Sequence, residues 1–215
     1  MRSTITSRAM MLFPLALTSC GAPDPTTVDL VAVGPAQPAA AERQQASGET
    51  LETRLRAVDR AVLRWQTASN LRTAREAAEE ARNLIVGASG PFYGDADKNG
   101  QVAGKRVVGV LPGLKGEVSL AGKDDNACVV ADVLGGSWRE PVRRWSQFQS
   151  ALSRWTNTRN TFPSLPSHAQ RVVGWASLTL ESDSLVEARE YAKHARLHID
   201  ISVRAVTSCR RYSRG

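Results

Sequence analysis

Leu51, Leu55, Val58, Val62 and Trp65 advance in steps of four and three. That spacing predicts one apolar stripe on a helix, with Glu52, Arg54, Arg56, Asp59, Arg60 and Arg64 on the polar face. A second stripe, Leu71, Ala74, Ala78, Ala81 and Ile85, stops at Gly87, a residue suited to a helix C-cap. Between Trp65 and Leu71 a short turn with Ser69 and Asn70 predicts an antiparallel pair. A third stripe is Val142, Trp145, Phe148, Leu152 and Trp155, with Pro141 near its first turn. A shorter fourth helix is expected from Ser167, with Gln170 completing a capping box and His168 as a helix-start residue; it carries Val172, Val173, Trp175 and Leu178. The last helix is expected near Ser184, with Glu187 in the same box and a stripe of Leu185, Ala188, Ala192, Ala195, Ile199 and Val206.

The second and last helices read as copies. Ala74-Arg75-Glu76-Ala77-Ala78-Glu79-Glu80-Ala81-Arg82 aligns with Ala188-Arg189-Glu190-Tyr191-Ala192-Lys193-His194-Ala195-Arg196, an offset of 114 that also carries Leu71 to Leu185 and Ile85 to Ile199. A weaker echo sets Ala61-Val62-Leu63-Arg64-Trp65 against Ala151-Leu152-Ser153-Arg154-Trp155. The pattern reads either as a duplicated helical hairpin or as two alanine-rich helices agreeing by composition. Amphipathic helices cannot bury their faces alone, so both readings give an all-α fold. The expectation is a bundle of four to five helices over residues 49–215, interrupted by a loop-rich insertion at about 88–136.

The chain ahead of the helices has a different character. Arg2 and Arg8 precede the apolar run Ala9–Leu17, and Thr18-Ser19-Cys20 follows, which has the layout of a signal peptide over residues 1–19. The run is about half the ~20 apolar residues that a membrane span needs. Leu17-Thr18-Ser19-Cys20 resembles the lipobox of bacterial lipoproteins. That resemblance implies cleavage before Cys20, lipidation of Cys20 and an extracytoplasmic protein anchored by lipid (palmitate among the acyl groups) to the cell membrane or outer membrane. Gly21 stands where such proteins carry an Asp for inner-membrane retention, and the choice of membrane stays open. Residues 20–48 hold Pro23, Pro25, Pro35 and Pro38 among Ala, Gln, Thr and Ser, with no helical or strand period. They read as a disordered tether, spanning on the order of 30 Å as a coil.

Charge and cysteine count sharpen this picture. Loss of Arg2 and Arg8 with the signal takes the formal charge from +7 to +5. The excess is local: Arg139, Arg143, Arg144, Arg154 and Arg159 meet only Glu140, and Arg204, Arg210, Arg211 and Arg214 follow Asp200. The basic excess reads either as contact with anionic lipid or polysaccharide or as a solvated face; an exported lipoprotein gives no role for nucleic acid. With Cys20 assigned to lipid, Cys128 and Cys209 remain as an even pair in an oxidising compartment. They are expected to form a disulfide, the alternative being two buried thiols.

One motif carries chemistry. In Asp95-Ala96-Asp97-Lys98-Asn99-Gly100-Gln101-Val102, oxygen-bearing side chains stand at positions one, three and five. Gly at six permits a sharp turn, the carbonyl of Gln101 at seven adds a ligand, and Val102 at eight anchors the loop. A hard cation such as calcium takes many oxygens at this spacing. The stretch resembles the calcium loops of EF-hands and dockerins, which implies a calcium site at Asp95, Asp97, Asn99 and Gln101. Position twelve, where those families place a bidentate acid, is Arg106. Glu117, Asp124 or Asp125 is expected to supply the missing carboxylate, and binding is expected in the roughly 10⁻⁴–10⁻³ M range. Asn83-Leu84-Ile85-Val86-Gly87 leading into Tyr93-Gly94-Asp95 resembles exported proteins of environmental bacteria that have no established activity.

Two function classes follow. The first is a membrane-tethered, non-catalytic envelope lipoprotein, a helical binding or structural module with a calcium-stabilised loop and an envelope protein or glycan as partner. The second is a transition-metal-handling or enzymatic bundle using His194, His198 and Glu80: the two histidines stand one helical turn apart, beside rather than on the apolar stripe. No nucleophile-elbow serine, strand-borne phosphate loop or HExxH is present.

Overall fold

The structure is a computed structural model. It describes residues 48–215 apart from 125, 158–161, 163, 164 and 213–215, with side chains as far as Ser208. Cys20, the signal stretch and all but Gly48 of the tether lie outside the described residues. Among the described residues five α-helices occur, α1 (Leu51–Thr67), α2 (Leu71–Val86), α3 (Pro141–Ser153), α4 (His168–Glu181) and α5 (Leu185–Tyr212), and no strand. The chain is an all-α helical bundle. None of the described helices is long and apolar enough to cross a membrane.

The two expected capping boxes form by half: Ser167 Oγ accepts from Gln170 N–H and Ser184 Oγ from Glu187 N–H, while the Gln170 side chain turns to Arg144 and the Glu187 carboxylate accepts from Ser182 Oγ. Two caps not expected from the sequence also form: the Thr50 hydroxyl accepts from Thr53 N–H, and Asn70 Oδ1 accepts from Thr73 N–H. Each satisfies a donor that a helix N-terminus otherwise leaves bare. Gly87 ends α2 at φ 64°, and a Cβ there would stand 2.3 Å from Gly109 N. The close approach lets Val110 and Leu111 N–H donate to Ile85 O, which ties the insertion to the end of α2.

Helices α1, α2, α4 and α5 pack in an up-down-up-down square, in which α1 touches α2 and α5, and α4 touches α5 and α2. Two three-residue connections, Ala68–Asn70 and Ser182–Ser184, stand at one end and differ by the offset of 114. The arginines respect the same offset. Arg75 Nη2 donates to Ser182 O at 2.6 Å, and Arg189 donates to Ala68 O through Nε at 3.0 Å and Nη2 at 2.6 Å. The second helix of each hairpin therefore caps the last carbonyl of the other hairpin's first helix. The pair α1–α2 is matched by α4–α5.

The weaker echo between residues 61–65 and 151–155 has no counterpart in this square. Helix α3 packs mainly on the insertion: Trp145 Nε1 donates to Pro112 O at 3.0 Å, and Trp145 and Phe148 pack edge-on with Phe92 and Trp138. Val142 is 59 % exposed, so the buried stripe begins one turn later, at Trp145.

Arg54, assigned by periodicity to the polar face of α1, is 2 % exposed. Its Nη1 donates to Leu84 O and Val108 O, and its Nε and Nη2 fork onto Glu49. The carbonyls at the end of α2 need donors, and a long planar guanidinium on the neighbouring helix supplies them. The rest of the insertion is irregular backbone with a 3₁₀ turn (Ala121–Lys123) and a π-helical turn (Val129–Val133), the latter packed on α5.

Candidate metal centre

The loop 95–102 is shaped by its own side chains. Asp95 accepts from Asn99 N–H (3.0 Å) and Gly100 N–H (2.8 Å), Asp97 Oδ1 accepts from Asn99 N–H, and Asn99 Oδ1 accepts from Gln101 N–H. Lys98 and Gly100 take left-handed backbone, φ 60° and 86°. Asn99 Nδ2 donates to Asp97 Oδ2 at 2.9 Å, so the side chain at position five braces the one at position three.

The loop is docked on α2 by two buried side chains one helical turn apart. Glu79 accepts from the N–H groups of Ala96 (2.6 Å), Asp97 (3.0 Å) and Ala103 (2.8 Å). Asn83 exchanges hydrogen bonds with Gly94 and donates to Ala103 O. Both are fully buried. The carboxylate that reaches the loop from outside is thus Glu79, which precedes it. The residues expected in that role are placed elsewhere or not described: Glu117 accepts from Lys115 N–H, Asp124 from Asn126 N–H, and Asp125 lies outside the described residues. Arg106, at position twelve, turns to Glu49 at 3.5 Å.

Glu79, Asp95 and Asp97 offer carboxylate oxygens that all lie within 4.8 Å of one another, and among the described residues no other group of three His, Cys, Asp or Glu side chains does so. Two oxygens 4.8 Å apart can both touch one ion at about 2.4 Å, the calcium–oxygen distance. The donor set is all oxygen, which suits a hard cation and not a soft one. Burial, countered by the Asn99 N–H, and then the nearby Glu79 and Asp95 carboxylates push the Asp97 carboxyl up from its ordinary value. Crowded like charge of this kind is relieved by a bound cation.

The second candidate set does not assemble. Glu80 is ion-paired with Arg64. His194 stacks on Trp175 at 4.6 Å, with Glu190 3.8 Å from its Nε2. His198 instead faces His168, Nδ1 to Nδ1 at 3.0 Å. One helical turn of α5 is enough to send His194 and His198 to different neighbours. Burial and the Arg171 charge lower the pKa of both members of the His168–His198 pair, His198 to about 3. Their contact was not visible in the sequence, because it joins the first turn of α4 to the middle of α5.

The side chain of Cys209 lies outside the described residues, as does Cys20. Cys128 immediately precedes the π-turn that packs on α5, the helix that carries Cys209. Comparison with protein-family models, with curated proteins and with solved structures gives no match to the chain.

Proposed function

We propose that the protein is an extracytoplasmic, lipid-anchored envelope module without catalytic activity, whose helical bundle is stiffened at one side by a calcium-binding loop. The observation that carries the calcium reading is the convergence of Glu79 with Asp95 and Asp97. It raises the charge facing the ion from the −2 of the loop alone to −3, which favours tighter binding than the loop alone would give. A dissociation constant near 10⁻⁴ M fits an extracellular module with this partial cage. At millimolar calcium such a site stabilises the fold by about 1.4 kcal/mol. The expected result is a rise in melting temperature of about 3–5 °C, specific to calcium over magnesium and absent in Asp95→Ala and Asp97→Ala. Equal shifts in the variants, or none in the parent, refute the site.

The lipobox supports the tether. Labelled fatty acid is expected to enter the unmutated protein and not Cys20→Ser. A parent protein that takes up no label and is soluble in the medium refutes the anchor.

A further inference from the structure

The insertion and the first turns of α3 enclose an open cleft that lies apart from the calcium loop. One lobe, about 720 Å³, is bounded by Val118, Leu134 and Trp138 over a floor of Gly116, Gly122 and Gly136. A second lobe, about 510 Å³, is lined by Ser137, Arg139, Glu140, Arg143, Arg144 and Gln147. The lobes share Ser137 and Arg139, so they lie side by side. Each is in the size range of small-ligand sites, about 300–1,000 Å³.

The groove is held rigid from behind. Arg144 lies over the Trp138 ring at 4.8 Å and donates to Leu134 O and Gly135 O. Trp138 Nε1 donates to Leu134 O, and its ring packs edge-on against Trp145 at 5.4 Å. The indole lining the cleft is thereby fixed before any ligand arrives, which reduces the ordering cost of binding. Arg139 and Arg143, in contrast, are exposed, and Glu140 pairs with Arg143 at 3.2 Å.

We propose that this groove binds an acidic polysaccharide, with a sugar ring against Trp138 and its carboxylates on Arg139 and Arg143. The wall chemistry selects this class. A flat aromatic beside small residues suits the apolar face of a sugar ring. Lys123 and Arg139 on the first lobe add positive charge beside Glu117 and Asp124. The positive lobe takes the acid groups. The proposal draws on the envelope setting above only for the source of the glycan; its residues are separate from Glu79, Asp95 and Asp97.

The test is a titration of the full chain, in detergent and with chelator present, by short oligogalacturonates, followed by tryptophan fluorescence and calorimetry. Chelator removes the calcium question, so failure of the loop and failure of the cleft are told apart. Saturable binding is expected, weakened by salt, weaker for the fully methyl-esterified oligomer, and weakened about tenfold in Arg139→Ala/Arg143→Ala. Both arginines are exposed, so this variant keeps the fold; Arg56→Ala/Arg60→Ala, basic residues of α1, is expected to bind as the parent does. No binding, equal binding of the ester, or unchanged affinity in the Arg139/Arg143 variant overturns the proposal. Tighter binding of polyglutamate, or of phosphatidylglycerol vesicles, also overturns it in favour of a peptide or a membrane surface.

Discussion

Glu79 and Asn83 hold the loop through hydrogen bonds to its backbone, so their effect on stability is separable from any effect on metal. Truncating Glu79 to Ala leaves the N–H groups of Ala96, Asp97 and Ala103 without their acceptor. Unsatisfied donors cost about 1–3 kcal/mol each when fully buried, and less for part-buried groups such as these three. Glu79→Ala is therefore predicted to lose about 1–3 kcal/mol in all in denaturant unfolding even with chelator present; no loss would show that water replaces the carboxylate. Asp97 differs in sign. Its carboxyl is pushed up in the folded chain, so its charged form opposes folding above that raised value. Without calcium, Asp97→Asn is predicted to raise the melting temperature slightly, and a fall would contradict the crowding argument. The His168–His198 pair supplies the pH dependence. Both pKa values are lowered, so the pair favours folding above the unfolded value of 6.5 and loses that contribution as pH falls toward the folded values. Between pH 7 and pH 5 His198 alone is predicted to cost about 2 kcal/mol. His198→Asn should flatten the profile, and an unchanged slope would locate the acid sensitivity elsewhere.

At the scale of elements, the repeated hairpin rests on a reciprocal exchange that can be measured. Arg75 and Arg189 each cap a carbonyl of the opposite hairpin. Hydrogen bonds from charged groups contribute about 1.5–3 kcal/mol when well buried. Both arginines are partly exposed, so about 1 kcal/mol each is expected for Arg75→Ala and Arg189→Ala. Matching losses in the two variants are the predicted result, and a loss confined to one would break the equivalence of the hairpins. The helices themselves were legible because period and caps agree: Asn70, Ser167 and Ser184 each stand where a helix starts. Arg54 was misplaced, and the burial of Glu79 was not foreseen, for one reason. Periodicity assigns charged residues to solvent, whereas here the insertion folds over α1 and α2 and presents backbone carbonyls and N–H groups that only a buried charge satisfies. The loop's oxygen spacing was readable locally. Its outside carboxylate was not, because Glu79 meets the loop through packing and carries no motif of its own. Helix α3 was read as a bundle member for the converse reason: its stripe is real, but the surface that it covers belongs to an irregular segment with no period.

At the scale of the whole molecule, three constraints act on the bundle: a proposed lipid tether ahead of it, a proposed calcium clamp on α2, and a proposed disulfide near its C-terminus. Cys128 precedes a turn packed on α5, so a bond to Cys209 would fasten the end of that helix to the insertion. Closing a loop of about 80 residues stabilises by roughly 4 kcal/mol through the unfolded state. Mass mapping of the unreduced protein should yield a linked peptide pair containing Cys128 and Cys209, and alkylation of both thiols without reductant would contradict the pairing. The clamp is the most consequential of the three, because it gives the acidic cluster a purpose. Calorimetric titration of the purified chain with calcium tests it directly. The account predicts one site per molecule with a dissociation constant near 10⁻⁴ M, lost in Asp95→Asn/Asp97→Asn, a change that keeps one acceptor oxygen at each position. Absence of binding in the parent, or unaltered binding in that variant, would contradict it.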